Sequence, residues 1–143
     1  MTAKELVHAF AGNPLDRGTS IRHSGDKIDA MKELPSARYL VFQDLKVLTS
    51  DGAIDYVAYS SLPKLRGDQI FLGTLNSVPY FAVQTEDGDF GEFTDCRQVV
   101  RQEDLSQSGI VAQARSMLAW HRRNPFCSKC GSKTALERSG QLR

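Results

Sequence analysis

Cys127 and Cys130, in F-C-S-K-C-G, have the residue types and spacing best suited to chemistry. Two thiolates separated by two residues and followed by Gly131 can sit on one side of a tight turn. Backbone N–H groups then point toward the sulfurs, which is how half of a tetrahedral zinc site is built. A structural site needs four ligands, and ribbon spacing puts a second C-x-x-C roughly 15–20 residues after the first. Counted from Cys130, that pair would fall beyond Arg143, so the sequence reads as a zinc ribbon cut through its middle. A redox pair and two unconnected surface cysteines are the alternatives. The half-site is preferred because the following G-S-K-T reads as a turn and no thioredoxin-like βαβ pattern surrounds the motif.

Other chemically capable clusters are weaker. Glu86–Asp95 is acidic and contains Gly88 and Gly91, but D-G-D-F-G-E-F lacks calcium-loop spacing and reads as a solvated turn between strands. Phe10–Arg22 carries Asp16, Arg17 and Arg22; without a glycine-rich phosphate cradle, an Asp–Arg pair pinning the loop is the preferred reading. His121, Arg122, Arg123, Lys129 and Lys133 form a basic run beside the cysteines. Such a run can offset the formal negative charge of a four-thiolate zinc centre, so nucleic-acid binding is disfavoured. His121 is a conceivable zinc ligand, but it precedes the turn, and the cysteines rank ahead of it. His8 and His23 have no metal or catalytic spacing, and Cys96 reads as a packing residue.

The element that must position the cysteines is a helix. Ile110, Ala114, Met117, Leu118 and His121 recur at helical spacing, Gln113, Arg115, Ser116 and Arg122 are expected to face away, and Pro125 ends the pattern. Trp120 and Phe126 bracket the junction and read as packing anchors between domain and ribbon, with a ligand-stacking aromatic platform as the alternative. Upstream, Ile28, Met31 and Leu34 predict a short helix stopped by Pro35. Tyr39–Phe42, Leu45–Thr49 and, after the Asp51-Gly52 turn, Ile54–Tyr59 predict an antiparallel meander. Ile70–Gly73 and Tyr80–Val83 predict a further hairpin, and their near-continuous apolar character predicts central strands buried on both faces. The reading is an α+β domain over residues 1–108, a linking helix over 109–123 and the first half of a zinc ribbon over 124–143.

Eighteen Lys and Arg against seventeen Asp and Glu leave a formal net charge of +1, so the total gives no sign of a polyanionic partner. Apolar runs are far shorter than the ~20 residues needed to span a bilayer, and the N-terminus has no signal-peptide core, so no membrane partner is expected. Three cysteines do not make an extracellular disulfide framework, and a reducing, cytoplasmic home is expected.

Three ordered blocks then carry a resemblance: F-A-G-N-P-L-D-R-G-T-S-I-R, I-F-L-G-T-L-N-S-V-P-Y-F-A-V and A-R-S-M-L-A-W-H-R-R-N-P-F-C-S-K-C-G. Together they resemble the NADH pyrophosphatase branch of the Nudix hydrolases. The resemblance implies a degenerate Nudix-like domain with a mainly antiparallel or mixed sheet and flanking helices. It leads into a four-cysteine zinc ribbon whose first pair is Cys127 and Cys130. For the parent it implies hydrolysis of NADH and NAD to nicotinamide mononucleotide and AMP with Mg²⁺ or Mn²⁺, action on NAD-capped RNA in some members, and a homodimer. A peroxisomal or other organellar address is compatible with the family. The glutamate-rich Nudix box matches nothing in this sequence, so this chain alone is expected to be inactive, with no catalytic residue assigned. A stand-alone zinc-ribbon module binding nucleic acid or a protein is the alternative.

Overall fold

Runs such as Tyr39–Phe42 and Tyr80–Val83 leave no side for water, and such a strand needs cover above and below. The computed structural model, which describes residues 8–62, 68–86, 90–101 and 104–143, supplies both covers. In chain order the elements are α1 (Gly25–Lys32), β1 (Arg38–Gln43), β2 (Lys46–Ser50), β3 (Ala53–Ile54), β4 (Tyr56–Val57), β5 (Ile70–Leu75), β6 (Val78–Gln84), β7 (Glu92–Thr94), α2 (Cys96–Val100) and α3 (Leu105–Arg123). Among the described residues the strands form one mixed sheet in the order β3-β2-β1-β6-β5, with β4 paired to β1 and β7 to β2. This is the α+β domain expected.

Pleat alternation sorts the core into two layers. Leu40, Phe42, Ile70, Leu72 and Ala82 face α3, meeting Ile110, Val111, Ala114 and Leu118, with Cys96 and Val99 of α2 alongside. Tyr39, Val41, Phe71, Phe81 and Val83 face the other way, toward Ile28 of α1. Each large aliphatic side chain buried this way contributes about 1.5–3 kcal/mol before chain entropy is subtracted. β1 and β6 run parallel, with Tyr39 opposite Phe81; the other pairings are antiparallel.

Two turns follow their sequence signals. Asp51 and Gly52 both have positive φ, as do Asn76 and Ser77 between β5 and β6, the backbone that two-residue hairpin turns require.

Several expectations need correction. The strand expected over Ile54–Tyr59 is two short pairings and a 3₁₀ turn at Tyr59–Ser61, because the chain there leaves β2 for β1 and must bend between partners. β6 is central as expected, but β5 ends the sheet order, and its edge is met by a bridge from Asp16 to Thr74. Leu34 falls after α1 and is exposed, so only Ile28 and Met31 of the expected trio pack. β7 and α2 were not anticipated; β7 lies in the stretch read as an acidic turn, of which residues 87–89 fall outside the described part. Lys4–Val7 also fall outside it. α3 starts at Leu105, four residues before the expected linking helix, and its buried face belongs to the core.

A bulge in β5 between Phe71 and Gly73 organises the N-terminal segment. Gly73 has φ +148°, and a Cβ there would lie 2.3 Å from the Asp16 carbonyl oxygen, so only glycine allows the bridge. Leu72, inside the bulge, turns its carbonyl to side chains: Arg22 Nη2 donates to it at 3.3 Å and Gln113 Nε2 at 3.0 Å.

Candidate metal centre

α3 delivers the cysteines. Asp104 caps its start by accepting from the Gln107 N–H at 3.0 Å. His121, Arg122 and Arg123 occupy its last turn, where cations suit the helix dipole. Asn124 closes it by donating its N–H to the Trp120 carbonyl at 3.1 Å.

Beyond Pro125 the chain doubles back in a knuckle. Phe126 and Lys133 form an antiparallel bridge. Inside it, the Cys127 N–H donates to the Ser132 carbonyl at 2.8 Å and the Gly131 N–H to the Cys127 carbonyl at 2.9 Å. Gly131 has φ +73° with open space around it, as the turn demands. Cys130 is exposed, its Sγ 3.4 Å from Ser132 Oγ. Hydrogen bonds from the Ser132 hydroxyl and N–H, and one with the Cys127 side chain, hold the Cys130 thiol below its ordinary range. The two sulfurs therefore adjoin, and the Ser132 donors favour the thiolate form that a metal requires. The donor set fits two of zinc's four positions. Among the described residues, no three His, Cys, Asp or Glu side chains gather as a metal site.

His121 is occupied elsewhere. Its buried ring has Nε2 2.7 Å from the Gly140 carbonyl and Nδ1 3.2 Å from Arg143 Nη1. Since Arg143 can only donate, the ring proton sits on Nε2 and donates to Gly140, an assignment made from these partners. Arg143 Nε donates to Thr134 Oγ1 at 3.0 Å, and the Thr134 hydroxyl donates to the Asn124 carbonyl at 3.0 Å. Sequence reasoning missed this network because its members are dispersed polar residues without a motif.

A family model for the NADH pyrophosphatase-like rudimentary Nudix domain matches residues 36–120, more than half of the chain. The chain belongs to that family. It is 26% identical over 187 residues to "NAD-capped RNA hydrolase NUDT12" of Homo sapiens, an alignment covering 98% of this chain and 40% of the relative. The protein of the same description from Macaca fascicularis is 26% identical over 190 residues, with the same coverage. That from Pongo abelii is 51% identical over 37 residues, 26% of this chain and 8% of the relative. The chain thus spans about 40% of the length of the first two. The family is Nudix-like, and it is the relatives that are described as hydrolases of NAD-capped RNA.

The matched rudimentary Nudix domain ends at Trp120, and the knuckle follows within one turn of chain. Other residues singled out in the sequence behave differently from expectation. Trp120 and Phe126 are 40% and 60% exposed, so neither is a buried anchor. Gln113, expected to face away, is buried on the core side of α3, where Asn13 Nδ2 donates to its Oε1 at 2.7 Å. Among the described residues Asp16 forms no pair with an arginine; its Oδ1 accepts from the Gly18 N–H at 2.9 Å. Arg22 is buried instead against the Arg17 carbonyl, 2.6 Å from its Nε, and the Phe71 ring, 4.9 Å away. Desolvation, with Arg17 nearby, lowers its pKa to about 10. Cys96 is the packing residue expected: burial pushes its thiol up to about 11, and its Sγ donates to the Leu45 carbonyl at 3.5 Å.

Proposed function

We propose that this chain is a non-catalytic part of a Nudix NAD(H) hydrolase, a rudimentary Nudix domain that holds Cys127 and Cys130 as half of a zinc ribbon. The observation that carries the reading is the rigid connection. α3 packs its apolar face on the sheet, runs without a break to the knuckle, and is tied beyond the knuckle by His121 to Gly140 and Arg143. Such an arrangement fixes the direction of two thiols relative to a domain, which is the role of a scaffold. Bound zinc would supply the cross-link between this half and its complement; the chain's own contribution is two pre-aligned sulfurs and the Ser132 donors that favour the thiolate.

The hydrolysis itself, of NADH or of an NAD cap on RNA, belongs in this reading to the parent's catalytic portion, where Mg²⁺ or Mn²⁺ would supply the Lewis-acid chemistry. Purified chain is incubated with NADH and Mg²⁺ or Mn²⁺ and AMP is measured. No AMP above a protein-free control is expected, and metal-dependent release would overturn the non-catalytic assignment.

A further inference from the structure

The knuckle turn C-S-K-C is closed by its own backbone. The Gly131 N–H donates back to the Cys127 carbonyl at 2.9 Å, and the Cys127 N–H donates forward to the Ser132 carbonyl at 2.8 Å. In a turn the first and fourth Cα atoms lie within about 7 Å, and a disulfide bridges Cα atoms about 4.4–6.8 Å apart. The side chains also meet, since the Cys130 thiol is hydrogen-bonded to that of Cys127. All three cysteines of the chain are free, but their access differs. Cys130 is exposed and Cys127 half-buried, whereas Cys96 is 6% exposed and held in the core beside the Leu45 carbonyl. The knuckle therefore presents two thiols to solvent and to each other, with the third out of reach.

We propose that Cys127 and Cys130 are a reversible thiol–disulfide couple, oxidised within one chain by a hydroperoxide and reduced by exchange with a dithiol. Cys130 reacts first because it is the more accessible thiol. Its thiolate sulfur attacks one peroxide oxygen, so that an S–O bond forms and the O–O bond breaks. The hydroxide that departs takes up the proton the thiol released and leaves as water. The Cys127 sulfur then attacks the sulfur of the Cys130 sulfenic acid. An S–S bond forms, the S–O bond breaks, and the second hydroxide leaves as water with the Cys127 proton. Two thiols have lost two electrons and two protons, and the peroxide has become two waters. A neighbour this close consumes the sulfenic acid before more oxygen is added, which keeps the chemistry short of the irreversible sulfinic acid. A disulfide has no thiolate to offer a metal, so the couple sets when the half-site can be filled. That consequence rests on the zinc half-site reading; the disulfide itself does not.

The test treats the whole reduced, metal-free chain with hydrogen peroxide, then blocks the remaining thiols under denaturing conditions. Free thiols should fall from three to one, with a mass loss of about 2 Da for the two hydrogens, and dithiothreitol should restore both thiols. Trypsin locates the bond, because Lys129 lies between the two cysteines. Cleavage after Arg123, Lys129 and Lys133 separates residues 124–129 from residues 130–133, and only a Cys127–Cys130 disulfide holds these two peptides together until reduction. C127S should retain a sulfenic acid on Cys130 that dimedone traps, and C96S should give the same joined peptides as the parent. The parent's own peptides carry the assignment should either variant fail to fold. A chain loaded with Zn²⁺ beforehand should release it to a chromogenic chelator on oxidation and take it up again after reduction. Sulfinic or sulfonic acid on Cys130 with Cys127 still free, a bond to Cys96, or a bond between two chains would each overturn the proposal and leave the half-site reading standing. Joined peptides from a chain that takes up no zinc would support the couple and overturn the half-site reading.

Discussion

Arg143 Nη1 donates to His121 twice, to the backbone carbonyl at 3.3 Å and to Nδ1 at 3.2 Å, and the second bond exists only while the imidazole is neutral. Burial is the largest cause lowering the His121 pKa, and Arg143 adds to it; the Gly140 carbonyl and Asp68 act in the opposite direction. The unfolded chain therefore takes up this proton near pH 6.5, before the folded chain does. Stability from this site is full above that pH and is lost as the pH falls from it toward the lower folded-state value. The melting temperature should drop between about pH 7.5 and 5.5, with a smaller drop in H121N, and an equal drop in both proteins would show that other groups dominate.

Gly109 lies where the N-terminal segment crosses α3, and a Cβ there would meet the Asn13 backbone nitrogen at 2.5 Å. G109A gains about 0.8–1 kcal/mol of helix propensity. The loop must then move, straining the contact and weakening the Asn13 bonds to Gly109 and Gln113, at about 1–3 kcal/mol or more. The clash should win, giving a lower urea midpoint than the parent; a higher midpoint would mean that the loop yields freely.

Phe81 is fully buried, its ring 5.0 Å from Tyr39 and 5.4 Å from Phe71. F81A should cost about 3–5 kcal/mol, a large part of the ~5–15 kcal/mol available to a domain of this kind. Urea unfolding should show the loss, and a change below about 1 kcal/mol would mean that the aromatic layer closes over the gap.

Zinc bound by Cys127 and Cys130 leaves half of the coordination sphere to water or to a second chain. Purified chain should surrender its zinc to EDTA readily, and C130S should retain none. Chelator-resistant zinc, one per monomeric chain, would mean that a third and fourth ligand come from this chain.

What could be read beforehand was local. Asp51-Gly52 announced its turn through residue type, the apolar runs announced buried strands, and C-x-x-C followed by Gly131 announced the knuckle. What could not be read depends on partners distant in sequence. Gln113 looks like a surface residue until Asn13 and the Leu72 carbonyl are brought to it. Arg22 was expected to need a carboxylate, whereas a bulge one strand away offered a carbonyl. Trp120 has the character of an anchor, yet nothing among the described residues covers it fully, and periodicity alone cannot tell an occupied groove from an open one.

The clamp between Asn13 and α3 also has a consequence in time. Asn13 leaves a ribosome ahead of its partners Gly109 and Gln113, which follow 96 and 100 positions later. At about 5–20 residues per second, the N-terminal segment waits roughly 5–20 s for its binding surface to be synthesised. During that interval the β5 edge at Thr74, which the Asp16 segment later closes, is exposed as soon as it emerges. A chaperone that shields strand edges on nascent chains would have its opportunity in this window, and a synonymous change that slowed translation between Thr74 and Gly109 would lengthen it.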